Sequence, residues 1–182
     1  LHEQYIRQCL SNFSDNSNVL QLTSAEYTGP LHFVEFWIDV ITDWEQEAGK
    51  NALVGLSTTK DVQDSILGDT SRSQAIDVID IRYWHYRYDY SLYAPEGGKS
   101  LAPRQHARLV EPGKASFRSV YRAVSEYRKK YPEKAVIYSN PIGRKYAWAV
   151  FMGGGSMAAI PDIEVDEFYK AAPTMIPLAS GS

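Results

Sequence analysis

The sequence predicts an α/β protein in which short parallel strands alternate with helices. Five apolar runs of strand length are separated by segments whose apolar residues recur at helical spacing. The strands are apolar at nearly every position, which is typical of a parallel sheet covered on both faces. Two architectures fit this pattern, namely an open doubly wound sheet and part of a (β/α)8 barrel.

In the first half of the chain, predicted helices and strands follow one another in turn. A helix is predicted over residues 3–13, with an apolar stripe at steps of four formed by Leu1, Tyr5, Cys9 and Phe13. The next helix is expected to end at Gly49, and its stripe consists of Phe33, Phe36, Trp37, Val40, Ile41 and Trp44. Strands are predicted over residues 18–26, 52–58 and 75–84, with a short helix over residues 60–69.

The second half begins with a long segment rich in Pro and Gly, residues 90–114, and loops of this length are often functional. Ser116 is the predicted N-cap of a helix whose apolar face carries Phe117, Val120, Tyr121, Val124 and Tyr127. The charges of residues 126–134 are expected to form a solvated helix end. A fourth strand is predicted over residues 134–140 and a fifth over residues 145–155.

The composition argues against several classes of partner. A chain of 182 residues can build one sizeable core, and its formal charge of -3 without a basic stripe gives no reason to expect nucleic acid. The apolar runs are far shorter than the roughly 20 residues of a membrane span. No phosphate-binding glycine motif opens a helix, and the histidines lack metal-site spacing. We therefore expect neither a cofactor nor a metal.

In both architectures the carboxyl ends of the strands form the functional face, which we call the rim. The residues predicted there are mostly polar or aromatic: Glu26, Asp61, Tyr83, Trp84, His85, Tyr86 and Asn140. This composition is typical of a carbohydrate site, because sugar C–H faces stack on aromatic rings while carboxylates and amides bond to hydroxyls. The expected partner is a glycan.

Three carboxylates are candidates for catalysis, because glycoside cleavage requires a proton donor and usually a second carboxylate. Glu26 is the best donor, since it follows an apolar strand where burial raises the pKa of a carboxyl group. Alternatively, it caps the helix that follows. Asp80 alternates with apolar neighbours inside a strand. It is either the partner in a structural ion pair or a catalytic carboxylate. Asp61 either caps a helix or supplies the second carboxylate.

Cationic and titratable side chains near the rim are candidates for substrate contact. His85 either bonds to backbone in the core or belongs to the site. Arg104 and His106 lie in the long 90–114 segment, where they are either ordinary surface residues or contacts to an anionic glycan. Arginine suits the second role, because its guanidinium binds carboxylate or sulfate in a bidentate manner.

Several segments, among them "NVLQLTSAEYTGP", "VIDIRYWHYRYD" and "FMGGGSMAAIP", resemble the apiosidase-like (β/α)8 glycoside hydrolases of polysaccharide-degrading bacteria. The resemblance spans residues 1–162, and it implies that the chain supplies strands four to eight of the barrel. It also implies that Glu26 closes strand four as the acid/base, and that the Tyr83–Tyr86 segment surrounds the site. A periplasmic or extracellular location is implied by the same resemblance.

One feature departs from this family's wider clan, whose nucleophile is a Glu at the end of strand seven. Ser139 and Asn140 stand at that place in this sequence. Three explanations stay open. The nucleophile comes from elsewhere, the enzyme inverts with Asp61 or Asp80 as its second carboxylate, or the protein is an inactive carbohydrate-binding barrel.

A partial barrel has a physical cost, because five of eight strands leave two open edges and an uncovered apolar interior. We therefore expect residues 1–182 to be part of one barrel that packs against the remaining strands. Residues 163–182 are expected to form a tail or a linker to a following domain.

Overall fold

The structure is a computed structural model, and it describes residues 1–23, 27, 29–82, 85–87, 89–92, 115–139, 143–156, 167 and 170–171. The helices are α1 (His2–Asn12), α2 (Leu31–Ala48), α3 (Lys60–Gly68), α4 (Thr70–Gln74), α5 (Phe117–Lys130) and α6 (Ala147–Met152), with a 3-10 helix at Gly143–Tyr146. The strands are β1 (Leu20–Leu22), β2 (Leu53–Leu56), β3 (Val78–Asp80) and β4 (Ala135–Ile137). Helices separate successive strands, so the predicted α/β class is confirmed.

The described strands form one parallel sheet of four strands in the order β1-β2-β3-β4. Each strand therefore lies beside the strand that follows it in the chain. Paired residues such as Gly55 and Val78, or Asp80 and Ile137, share a face of the sheet. Since side chains alternate along a strand, this register divides the sheet into two distinct faces.

Among the described residues, the apolar core lies between the helices and one face of the sheet. Leu56, Ile79 and Val136 point to that side, and each is fully buried. The opposite face, which we call the open face, has an apolar row: Leu20, Leu22, Leu53, Val78 and Ile137. Leu53 on that face is 39% exposed, so the open face is only partly covered by the described residues.

The two N-terminal helices pack through faces that differ from the predicted stripes. On α1 the buried residues are Ile6 and Leu10, whereas Tyr5 is 63% exposed. On α2 the buried residues are Val34, Ile38, Val40, Ile41 and Trp44. Phe36 is 38% exposed, because the packed face is rotated away from the start of the predicted stripe. Both helices nevertheless occupy the predicted ranges.

The predicted helix boundaries are confirmed where a local signal specifies them. Gly49 ends α2 in the left-handed conformation, with φ of 62°. Ser116 caps α5 by accepting a hydrogen bond from the backbone N–H of Ser119, as part of a capping box. Such caps depend on the nearest few residues alone, which is why the sequence reveals them.

The predicted fifth strand at residues 145–155 is wrong, because this segment forms the end of the 3-10 helix and α6. Ala147, Ala149 and Val150 are buried, and α6 packs beside α5. A short apolar run fits a buried helix as well as a strand, so periodicity could not decide between them. After α6, Ser156 lies beside β4, where its backbone N–H donates to the carbonyl of Val136 at 2.7 Å.

The solvated helix end predicted for residues 126–134 is also only partly correct. Lys134 is 7% exposed, and its Nζ donates hydrogen bonds of 2.7 Å to the carbonyls of Ser73 and Ile76. Glu126 turns inward to an ion pair with Lys60. None of the helices in the described ranges combines the length and the apolar content that crossing a membrane requires.

Candidate functional site

The structure describes four of the residues that the sequence predicts for the site. Asp61 and Asp80 lie at or just beyond the carboxyl ends of β2 and β3, and His85 and Tyr86 follow β3. The other candidates lie outside the described residues: Glu26, Tyr83, Trp84, Arg104, His106 and Asn140.

Asp80 is the last residue of β3, and its side chain joins three adjacent strands on the open face. Its Oδ2 accepts hydrogen bonds from Ser57 Oγ at 2.9 Å and from Ser139 Oγ at 2.6 Å. Its Oδ1 accepts a third bond from the backbone N–H of Ser139 at 3.0 Å. Asp80 itself has no exposed surface, whereas Ser139 is exposed. The carboxylate thus lies one side chain below the surface.

The environment of Asp80 favours the protonated form more than water does. Burial raises the pKa of this carboxyl group, because the charged form loses its hydration. Hydrogen bonds from Ser139 and Ser57 and the charge of Arg82 lower the pKa again, but they offset only part of the burial effect. A buried carboxyl group with a raised pKa can hold or release a proton nearer to neutral pH than an exposed one.

Asp61 lies in the first turn of α3, and its side chain is half-buried. Its Oδ1 accepts a hydrogen bond of 2.7 Å from Thr59 Oγ1, the hydroxyl of the N-cap residue. A carboxylate in the first turn of a helix interacts favourably with the helix dipole. The N-cap residue of α3 is Thr59, so Asp61 is a first-turn carboxylate and not the cap, and it keeps its place near the end of β2.

His85 lies between the sheet and α5, and only 3% of it is exposed. Its ring meets the ring of Tyr127 edge to face, with centroids 5.9 Å apart. Within the described part of the chain, neither ring nitrogen has a hydrogen-bond partner. Burial, with a smaller contribution from the charge of Lys60, lowers the pKa of His85 to about 3, so the imidazole is neutral.

Tyr86 is also buried, at 1% exposure, and it belongs to a group of charged and aromatic residues centred on Lys60. Lys60 Nζ lies 3.0 Å from Asp64 Oδ2 and 2.7 Å from Glu126 Oε1. Tyr86 donates its hydroxyl to Glu126 Oε2 at 2.5 Å, and Tyr127 donates its own to Asp64 Oδ1 at 2.8 Å. A direct contact with substrate needs an exposed ring face, which Tyr86 lacks.

In this group the carboxylate of Glu126 is held ionised, and the phenols of Tyr86 and Tyr127 are held protonated. Burial raises the pKa of Glu126, but hydrogen bonds from Lys60 and Tyr86 outweigh burial and lower it overall. Burial and the bond to Glu126 raise the pKa of Tyr86. Burial, followed by the charge of Asp64, raises the pKa of Tyr127. The group is therefore a set of complementary charges rather than a proton relay.

Sequence reasoning missed Lys60 and Glu126 as members of the group around Lys60, and it placed Ser57 at the rim without its contact to Asp80. The i, i+4 spacing of Lys60 and Asp64 is a visible signal of an ion pair on a helix. Nothing in the sequence, however, indicates that the lysine faces inward. The role of Ser57 depends on strand register, which brings it beside Asp80 from a neighbouring strand.

A separate cavity of about 240 Å3 opens at the amino-terminal ends of the strands, opposite to the rim. Its lining includes Trp44, Leu53 and Asp77. Functional sites of parallel α/β folds lie at the carboxyl ends of the strands, so we assign the candidate site to the Asp80 end instead. Among the described residues, no group of three or more His, Cys, Asp or Glu side chains could hold a metal ion.

Comparison with known proteins adds one match. The model of a family described as "Domain of unknown function (DUF6298)" matches residues 1–175 of the chain. No curated protein and no solved structure matches the chain. The family description names no activity, so the function is argued from the residues of the site.

Proposed function

We propose that this chain, which belongs to the DUF6298 family, forms part of a (β/α)8 glycoside hydrolase whose second catalytic carboxylate is Asp80. The observation that carries the proposal is the position of Asp80. It lies at the carboxyl end of its strand, on the open face, hydrogen-bonded to the strand that should carry a nucleophile. The family resemblance in the sequence supports the same reaction class.

The strand order supports a barrel over a doubly wound sheet. A doubly wound sheet reverses its strand order at a switch point, whereas barrel strands stay beside their sequence neighbours. The order β1-β2-β3-β4 has no reversal. Ser156 then pairs with Val136 on the free side of β4, where a next strand would begin. Barrel closure would also cover Leu53 and the rest of the open face.

In this arrangement the four strands correspond to barrel strands four to seven. Asp80 closes strand six, and Ser139 follows strand seven, where related barrels carry a Glu. The hydrogen bond between these side chains puts a carboxylate next to the position that lacks one. This is the reason to prefer Asp80 over Asp61, whose carboxylate bonds to the hydroxyl of Thr59 within its own helix turn.

The reaction assigns complementary roles to two carboxyl groups. Glu26, at the end of strand four, donates a proton to the glycosidic oxygen as the bond to the anomeric carbon breaks. Asp80 either attacks that carbon, giving a glycosyl ester that water hydrolyses, or removes a proton from the attacking water. Carboxyl groups about 5 Å apart give retention, and groups about 6.5–9.5 Å apart give inversion.

The other predicted residues have secondary roles. Tyr83 and Trp84 supply ring faces to the sugar, and Asn140 an amide. Arg104 and His106 contact an anionic group of the glycan. The proposed substrate is a complex polysaccharide or oligosaccharide, and the family resemblance implies action in the periplasm or outside the cell.

A second candidate function is an inactive barrel that only binds carbohydrate. The observation that favours it is that Asp80 has no exposed surface, and that its oxygens already accept three hydrogen bonds from Ser57 and Ser139. A carboxylate occupied in this way ties strands together without needing to touch a substrate.

Turnover by the whole protein that contains this chain distinguishes the two candidates. Wild type, Glu26→Gln and Asp80→Asn are incubated with neutral xylan and acidic polygalacturonate, among a wider set of polysaccharides, and new reducing ends are counted. Asp77→Asn is the matched control, since Asp77 precedes the same strand at its other end and accepts a bond from the backbone N–H of Val54. The proposal requires that both site variants lose at least about 100-fold in rate, the size of a general acid contribution. Binding without cleavage by wild type supports the inactive barrel.

A further inference from the structure

We propose that Lys60, Glu126 and Tyr86 form a buried latch that fixes the described part of the segment leaving β3, residues 85–87 and 89–92, against α5. The effect of the latch on substrate binding rests on the proposed function, in which Tyr83 and Trp84 contact the sugar. The latch itself is a statement about local order, and it is tested without any substrate.

The anchor of the latch is Lys60, whose side chain has no exposed surface. It is the first residue of α3, directly beyond the carboxyl end of β2. Its ammonium group pairs with Asp64 on its own helix and with Glu126 on α5. The ring of Tyr127 lies beneath it, with 4.6 Å between Nζ and the centroid. Lys60 thus ties α3 to α5 near the rim.

Glu126 connects this ion pair to the segment that follows β3. One carboxylate oxygen accepts from Lys60 at 2.7 Å, and the other accepts from the hydroxyl of Tyr86 at 2.5 Å. Hydrogen bonds to ionised acceptors are shorter and stronger than those between neutral groups. Tyr86 is therefore held by a charged acceptor that is itself fixed by a buried cation.

Two arginines of α5 hold the same segment from the solvent side. The guanidinium carbon of Arg122 lies 4.4 Å from the centroid of the Tyr86 ring, and its Nη1 donates to the carbonyl of Tyr90 at 3.0 Å. Arg118 lies over the Tyr90 ring at 4.8 Å. Tyr86 also forms an antiparallel bridge with Leu92, so the described residues 86–87 and 89–92 form a turn beside α5.

The latch lies close in the chain to the aromatic residues proposed to bind sugar. Tyr86 is two residues from Trp84 and three from Tyr83, which sequence analysis assigns to sugar contact. A binding side chain works only when neighbouring packing locks its orientation. We expect the latch to supply that constraint through the chain, because the hydroxyl of Tyr86 donates to the carboxylate of Glu126, which Lys60 holds from its other oxygen.

Two tyrosine variants test the latch, since each hydroxyl donates to a carboxylate that pairs with Lys60. Tyr86→Phe removes the bond to Glu126 on the rim segment, and Tyr127→Phe removes the bond to Asp64 within the helical layer. Hydrogen exchange is measured on the backbone N–H groups of Arg87 and Tyr90, which donate to Ser91 and Arg87 inside the turn. Turnover is measured on whichever polysaccharide the wild-type protein cleaves.

The latch predicts that Tyr86→Phe speeds exchange in the turn at least about tenfold, the effect of losing one hydrogen bond to a charged group. Tyr127→Phe should leave exchange in the turn unchanged, and only Tyr86→Phe should raise KM. The latch proposal is wrong if the backbone N–H groups of Arg87 and Tyr90 exchange at the same rate in Tyr86→Phe and Tyr127→Phe. Faster exchange with unchanged KM overturns its role in binding. A wild-type protein that cleaves and binds no glycan overturns the proposed function, while exchange still decides the latch.

Discussion

The hydroxyl of Ser139 donates a 2.6 Å hydrogen bond to Oδ2 of Asp80, joining the end of β3 to the end of β4. Ser57 donates to the same oxygen from the direction of β2. Three neighbouring strands thus converge on one buried carboxylate at the carboxyl edge of the sheet. The Ser139 position, where the proposed glycosidase family would carry a Glu, and the candidate carboxylate at Asp80 are two parts of a single arrangement.

Removing the hydroxyl of Ser139 should weaken the sheet and raise the pKa of Asp80 further. We expect Ser139→Ala to lower the free energy of unfolding by about 1–3 kcal/mol, the cost of a lost bond to a buried charged group. The folded-state pKa of Asp80 is already raised, so its stabilising contribution falls as the pH rises through that pKa. The loss in Ser139→Ala should therefore be larger at neutral pH than in acid. Urea unfolding at two pH values measures this difference, and an equal loss at both would contradict it.

His85 should make the protein sensitive to acid. Its pKa is about 3 when folded, against 6.5 as the ordinary value, so between these values only the unfolded chain takes up the proton. Stability therefore falls as the pH falls through this window, by about 1.4 kcal/mol per pH unit for one group. His85→Leu should make stability depend less on pH in this window. His32→Leu, which changes an exposed side chain, should leave the pH dependence as it is. Thermal unfolding between pH 7 and pH 4 measures the slopes, and parallel curves for wild type and His85→Leu would refute the prediction.

Lys60 should be far more important for stability than an exposed lysine in an ion pair. Lys60→Met leaves Glu126 and Asp64 without their buried cation, and we expect a loss of about 1–3 kcal/mol, since both carboxylates are more than a third exposed and keep part of their hydration. Lys50→Met removes an exposed pair with Asp15, and its cost should stay below about 1 kcal/mol. Chemical denaturation of the two variants side by side gives the comparison. A small effect at Lys60 would show that its charge is not needed for folding.

A side chain at position 155 should clash with α6, because the backbone at Gly155 passes close to that helix. A Cβ atom at this position would lie 2.4 Å from Val150 Cγ1 and 2.9 Å from the Val150 carbonyl oxygen. We expect Gly155→Ala to cost about 1–3 kcal/mol, the usual range for overpacking. Gly68 has nothing within 4 Å of the same atom, so Gly68→Ala should be neutral or stabilising. Melting temperatures of both variants test the turn, and a harmless Gly155→Ala would argue for a strand at this place after all.

The local sequence predicted the helices and the first four strands with useful accuracy. Ser116 and Gly49 mark helix ends because a capping bond or a left-handed residue involves only near neighbours. Periodicity failed at Ala147–Met152, where a run of six residues is too short to separate a buried helix from a strand. It also misjudged which part of α1 and α2 packs, since that depends on the neighbouring helix.

The sequence by itself determined the alternation of helices and strands, because periodicity and capping depend on residues a few positions apart. Only the tertiary structure decided which side chains meet. Lys60 and Glu126 are 66 positions apart, and Asp80 and Ser139 are 59 apart. Strand register and helix packing bring each pair together, and the resulting surroundings lower the pKa of Glu126 and raise that of Asp80, which no local pattern encodes.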